Sequence, residues 1–186
     1  MDQAAFLEKI GNLYERLKER LLYFLDKPEP YDYGFALKMK AWFTEVATKN
    51  QLLHSGVTKE KVQRPRKFVY WIDFGVNIGS EFNGPHFAVV IKEFSHTAIV
   101  VPLSSVKEDD GEWKNPDNLI IPIGCIDGLP KDKKPCYAMV NQIRSVSKQR
   151  LSSYQDRTTK QYYKLKLRDD QMDLIDKAIL SLTKVK

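Results

Sequence analysis

At 186 residues, 42% hydrophobic and 29% charged, the chain is long enough for one good core, or for one core and a small appendage, and has the balance of an ordinary soluble protein. Its apolar runs stop far short of the roughly 20 residues a bilayer requires, and its N-terminus is acidic where a secretion signal is basic, so a cytoplasmic protein without a membrane segment is expected. The net charge of +6 comes wholly from residues 61–186, which hold 21 Lys/Arg against 15 Asp/Glu, and a polyanion is a natural partner for that part, although many soluble domains are mildly basic without one.

From Gln3 to Leu25 the apolar residues Phe6, Ile10, Leu13, Leu17, Leu21 and Phe24 fall three and four apart, which draws one stripe down a helix. Pro28 and Pro30 end it. A second helical pattern over about 33–53 carries Phe35, Leu37, Trp42, Phe43, Val46 and Leu52, and the pair makes an N-terminal α-helical hairpin. Such a hairpin either packs over an apolar patch of a main domain or offers a dimerisation or recruiting surface. Residues 55–67 are polar and basic with Gly56 and Pro65, and read as the linker between a domain at 1–58 and another at 59–186.

The second domain opens with two runs, 68–74 and 87–91, rich in β-branched and aromatic residues. Between them stand Gly75, Asn77, Gly79, Ser80, Asn83, Gly84 and Pro85, so the stretch reads strand, polar loop, strand. Glu81, Asn83 and His86 within it accept, donate or shuttle protons, fixed by rigid strands on either side. Residues 97–103 are a third strand leading into Ser104 and Ser105, where a turn is the ordinary role for serine. The charged loop 107–118 holds Glu108, Asp109, Asp110 and Glu112 without the alternating spacing of a calcium site. A short strand over 119–123 and a loop over 124–135 follow. Cys125 and Cys136, eleven apart and without a nearby histidine, offer neither a zinc site nor a CxxC pair and read as idle thiols. Residues 137–146 read as one strand bearing Asn141, Gln142 and Arg144, and 147–151 turns outward. Residues 162–167 alternate like a half-exposed strand. A final helix runs from Asp169 to about Thr183, with Met172, Ile175, Ile179 and Leu182 on one face. Five or six short strands and a closing helix predict an α+β protein built on a small, strongly bent β-barrel.

Several of these pieces together resemble the PemK/MazF toxin endoribonucleases of bacterial toxin–antitoxin pairs. The resemblance rests on Val69 to Gly75 with Gly79-Ser80-Glu81, on Asn83 to Ile91, and on Thr97-Ala98-Ile99-Val100-Val101-Pro102-Leu103-Ser104-Ser105. Gln142-Ile143-Arg144-Ser145-Val146, Lys148-Gln149-Arg150-Leu151 and the last helix complete it, in the family's order from Arg64 onward. It implies an SH3-like β-barrel with a C-terminal helix that dimerises, cleaves single-stranded RNA at short sequences without a metal, and is silenced by a small antitoxin filling the RNA groove. The toxin–antitoxin complex is then a possible DNA binder. The family's usual Arg-Pro pair after the Gly-containing loop, whose Arg is catalytic, is His86-Phe87 here, and its catalytic Thr is Ser104. An acidic residue that some members carry before the Gln is Asn141, and the opening Arg-Gly-Asp is Arg66-Lys67-Phe68. Residues 1–60 lie outside the resemblance.

Metal-free RNA cleavage uses the neighbouring 2′-hydroxyl as nucleophile, so it needs a base near that hydroxyl, an acid near the leaving 5′-oxygen and donors for the charge on phosphorus. It needs no cofactor, and it leaves 2′,3′-cyclic phosphate and 5′-hydroxyl ends. At the positions the resemblance marks, His86 suits the proton transfer, Ser104 can donate to a phosphate oxygen, and Arg144 supplies permanent positive charge. Glu81, Asn83, Asn141 and Gln142 are expected to contact RNA, and Tyr70, Trp71, Phe82 and Trp113 can stack on bases. Each has a plainer role open to it: a half-buried histidine bonded to a loop carbonyl, a turn serine, a polar strand face, core aromatics. His54 and His96 read as surface residues. Two functions therefore stand side by side. One is a ribonuclease toxin, a homodimer acting on single-stranded RNA. The other is a barrel that has lost its catalytic pair and binds nucleic acid or a protein.

Overall fold

The computed structural model describes residues 2–25, 31–56, 62–107, 119–129 and 134–182. Pro28, Pro30, Trp113, the acidic group Glu108, Asp109, Asp110 and Glu112, and linker residues 57–61 lie outside them. The chain divides into two units, Met1–Val57 and Thr58–Lys186.

The first unit is two helices, α1 (Gln3–Leu25) and α2 (Tyr31–His54). Residues three and four apart are neighbours on a helix, and α2 uses that spacing for the Glu45–Lys49 pair at 2.7 Å. Thr44, Thr48 and Asn50 each bond the carbonyl four residues back. Ile10, Leu13 and Leu17 of the α1 stripe are exposed. Among the described residues no helix is long and apolar enough to cross a membrane.

The second unit is a curled antiparallel sheet with a helix on one face. Its strands are β1 (Phe68–Asp73), β2 (Pro85–Glu93), β3 (Thr97–Ser105), β4 (Ile120–Cys125), β5 (Pro135–Met139) and β6 (Arg144–Ser147), then the short β7 (Tyr154–Gln155), β8 (Tyr162–Tyr163) and β9 (Leu165–Lys166), before helix α3 (Asp169–Leu182). The main sheet runs β4-β5-β3-β2-β1-β9, with β6 also on β3, while β7 and β8 pair apart. Register shifts at Val90/Lys92 and Pro122/Gly124 bend it, as an extra residue in one strand does. Alternation sends Val69, Val89, Val101 and Leu103 to the face that Met172, Ile175 and Ala178 of α3 cover, and Tyr70, Ile72, Ala88, Val90 and Val100 to a second core with Val146 and Leu151. Gln171 of α3 is buried and satisfied: its amide donates to the carbonyls of Ile123 and Cys125 at 2.6 and 3.0 Å.

Three segments differ from the sequence expectation, and each for a long-range reason. Ser104 and Ser105 stay in β3 instead of turning, because β5 pairs with them (Ser104 with Tyr137, Ser105 with Cys136). The single strand expected over 137–146 is broken. β5 pairs with Leu103–Ser105 and β6 with Thr97–Val100, so residues 139–143 stand opposite only Val101 and Pro102. Pro102 has no N–H to give a ladder, and the surplus residues coil into a 3-10 turn, Val140–Gln142. Asn141 and Gln142 therefore sit on a turn, and do not alternate with Arg144 along one strand. Residues 162–167 are likewise divided, because β8 joins β7 whereas β9 joins β1.

Candidate functional site

The loop between β1 and β2 is closed at its neck. The Phe74 N–H donates to the Gly84 carbonyl and the Gly84 N–H to the Gly75 carbonyl, both at 2.8 Å. Gly75 and Gly84 have φ of +87° and +70°, where a side chain is strained, so glycine is what allows this crossing. Inside the loop the Asn77 amide donates to the carbonyls of Phe74 and Phe82, the Asn83 side-chain oxygen accepts from the Asn77 N–H, and the Asn83 amide donates to the Glu81 carbonyl. Asn83 thus shapes the loop. Glu81 is exposed on it.

Gln142 ties this loop to the 3-10 turn. Its side-chain oxygen accepts from the Phe82 N–H and from the Arg144 guanidinium, both at 3.1 Å, and its amide donates to the Ser80 carbonyl at 3.3 Å. Arg144 in turn lies over the Phe74 ring, 5.3 Å from its centroid. Phe74 meets Phe82 edge-on at 5.3 Å, and Phe82 packs on His86 at 4.4 Å. A continuous chain of contacts so joins Arg144, Gln142, Phe82 and His86. Asn141 is exposed beside them.

His86 is half-buried beside the backbone carbonyls of Asn83 and Leu103, and in its neutral form it has one N–H to offer them. Burial holds its pKa below the ordinary 6.5, against the upward pull of those carbonyls and of Asp73. Ser104 is next to it: β2 and β3 pair Phe87 with Leu103, and the next step of that ladder faces His86 with Ser104. His86 and Ser104 are therefore neighbours on β2 and β3, whereas Arg144, opposite Val100 farther along β3, is linked to His86 only through Gln142 and Phe82.

His86 also lines a cavity of about 410 Å³ with Trp71, Phe87, Leu129, Lys134 and Tyr154. Of the aromatics proposed from sequence to stack on bases, Trp71 lines it and Phe82 packs on His86, whereas Tyr70 is buried under Arg64, whose guanidinium is 4.8 Å from the ring. Phe87 and Tyr154 were not legible as site residues, because only the pairing of β1 with β2 and the bridge of Trp71 to Ser152 bring them beside Trp71. Lys148, expected to turn outward, is buried: its ammonium is 2.8 Å from Glu93, which also accepts from the Arg64 N–H. That pairing, with Lys148 foremost, holds the Glu93 carboxyl below its ordinary pKa. Among the described residues no three His, Cys, Asp or Glu side chains converge as a metal site would need.

The family model of PemK-like, MazF-like toxins of type II toxin–antitoxin systems matches residues 66–183. The chain belongs to that family. No curated protein matches the sequence significantly. The match spans the sheet, its loop and all of α3, so each residue of the His86 cluster lies inside the PemK-like part, and α1 and α2 precede it. In this PemK-like toxin Arg66 and Lys67, in place of the opening Arg-Gly of the motif, pair with Asp176 and Asp169 of α3. Lys67 holds the left-handed conformation, φ +74°, that a glycine would take without strain.

Proposed function

We propose that the chain is a toxin endoribonuclease that cleaves single-stranded RNA at short sequences without a metal. The substrate's 2′-hydroxyl attacks the adjacent phosphorus and its proton passes to His86, the bond to the 5′-oxygen breaks as that oxygen takes a proton from water, and 2′,3′-cyclic phosphate and 5′-hydroxyl ends result. Ser104 donates to a phosphate oxygen, Arg144 offsets the charge that grows on phosphorus, and Glu81, Asn83, Asn141 and Gln142 line the path of the strand. A small antitoxin neutralises the enzyme, which is a cytoplasmic homodimer of SH3-like barrels, with residues 1–58 as a separate helical domain. The observation that supports this reading is the chain of contacts from Arg144 through Gln142 and Phe82 to His86, with Ser104 one ladder step beyond the Phe87–Leu103 pair. Burial also leaves His86 neutral in the free protein at pH 7, the form a base must have.

Matched RNA and DNA oligonucleotides, incubated with and without excess chelator, test it. Cleavage of RNA alone, in both conditions, with cyclic-phosphate ends is expected. Loss of cleavage in chelator, or cutting of the DNA, overturns the mechanism. The half-burial of His86 against Phe82, the setting of an ordinary packed histidine, supports the second reading, a barrel that binds RNA or a protein without cutting. Tight RNA binding with no cleavage at any pH is its signature.

A further inference from the structure

The cavity beside His86 has three aromatic walls set at angles to one another. Trp71 meets Phe87 edge-on at 4.9 Å, Phe87 meets Tyr154 at 5.3 Å and 61°, and Trp71 and Tyr154 stand 6.5 Å apart. Leu129 closes a side and Lys134 stands exposed at the rim. At about 410 Å³ it lies within the range of about 300–1,000 Å³ typical of small-molecule pockets. The three rings touch one another, and the face they turn to the cavity can take either a flat ring or an organic cation. Lys134 decides between them, since its charge repels a cationic guest and attracts one that carries phosphate. Phe87, which supplies the middle wall, is one of the two residues that stand where the family resemblance places an Arg-Pro pair.

We propose that this cavity receives one unstacked nucleobase of the RNA strand whose reacting phosphate lies at His86, with Lys134 on the phosphate next to that base. The ring inserts against Trp71 and Phe87, and Tyr154 covers its edge. The proposal rests on the ribonuclease reading, and it adds that base identity near the cut is sensed on the side of the sheet facing α3, away from the Arg144–Phe74 contact.

The test is binding, not cleavage. An oligonucleotide with 2′-O-methyl sugars, which cannot be cut by 2′-hydroxyl attack, is made as a series in which one nucleotide at a time is abasic. For the parent protein, one abasic position should weaken binding by about five- to a hundredfold, the worth of a single base–aromatic stack. Two variants, Tyr154→Ala, which removes a wall, and Leu129→Trp, which fills the space, should both bind the intact strand less tightly and become indifferent to that abasic position. Should the same position still matter equally in both variants, the base sits elsewhere and the cavity proposal fails while the ribonuclease reading stands. If no abasic position matters in the parent, the proposal fails as well. If the parent binds no RNA at all, the ribonuclease reading is lost with it.

Discussion

Replacing His86 separates its chemical from its structural role. His86→Ala removes a ring that packs on Phe82 at 4.4 Å, and with it the one N–H that the neighbouring carbonyls of Asn83 and Leu103 can share. An unsatisfied buried acceptor costs about 1–3 kcal/mol of stability, and loss of one general base costs about a hundredfold or more in rate. His86→Gln keeps an amide donor for a carbonyl but cannot carry a proton, so it should recover stability without recovering rate. The assay is kcat/KM for a single-stranded RNA between pH 5 and 8, beside urea unfolding over the same range. Because kcat/KM reports the free protein, whose His86 pKa burial lowers, the rate should stay high down to about pH 6.5 and fall only below it. Stability moves in the same direction. The unfolded chain takes up a proton near pH 6.5 while the folded one resists it, so the contribution of His86 is full above that pH and is lost as pH falls through the folded value. His86→Arg, which restores the family residue, should flatten the rate profile whether or not it keeps activity. An Ala variant that folds and cleaves at the parental rate would refute the proton-transfer role, and an acid limb persisting in His86→Gln would assign the titration to another group.

Gln142→Ala, which cuts the bonds to Phe82, Ser80 and Arg144, should speed hydrogen exchange at the Phe82 amide and lower stability by about 0.5–1.5 kcal/mol for each net bond lost; unchanged exchange would show that the loop holds its own position. Lys148→Met should raise the Glu93 pKa, read by carbon NMR, and cost about 1–3 kcal/mol, below the usual value for a buried pair because Glu93 is partly exposed, while RNA affinity is unchanged. A drop in affinity without a change in stability would place Lys148 on the RNA. Lys67→Gly relieves a left-handed side chain worth about 1–2 kcal/mol and gives up an exposed pair with Asp169 worth about 0–1 kcal/mol, so thermal unfolding should show a small net gain. A lower melting temperature would mean that the ion pair, or the added freedom of glycine in the unfolded chain, outweighs the strain.

What was legible in the sequence was what neighbouring residues decide. The alternation in 68–74 and 87–91, the Gly-rich loop between, and the three- and four-residue spacing of α1 and α3 each reflect a local period, and those elements formed. The positions of His86 and Ser104 on adjacent strands followed from the same alternation. What was not legible depends on partners far away in the chain. No local feature of 137–146 shows that β3 must pair with it twice and leave residues 140–143 to coil. Lys148 reads as a surface cation until Glu93, 55 positions earlier, is brought against it. The cavity is hidden for the same reason, since Trp71, Phe87 and Tyr154 come from three strands whose meeting is a property of the whole sheet.

The closed neck at Phe74, Gly75 and Gly84 has a consequence for how such a protein can diversify. Two backbone hydrogen bonds at that crossing hold the ends of the loop, so the residues beyond it form a detachable tip, with Ile78 88% exposed at its outer edge. Backbone bonds do not depend on side-chain identity. Mutations accumulating among residues 76–81 can therefore alter what the tip touches without shifting the strand that carries His86. The exceptions are Gly75, Gly79 and Gly84, whose positive φ admits little else, and Asn77, whose side chain bonds the Phe74 and Phe82 carbonyls. A lineage of such toxins could in this way drift toward new target sequences or new neutralising partners by small steps, each retaining a working strand arrangement beneath an altered tip.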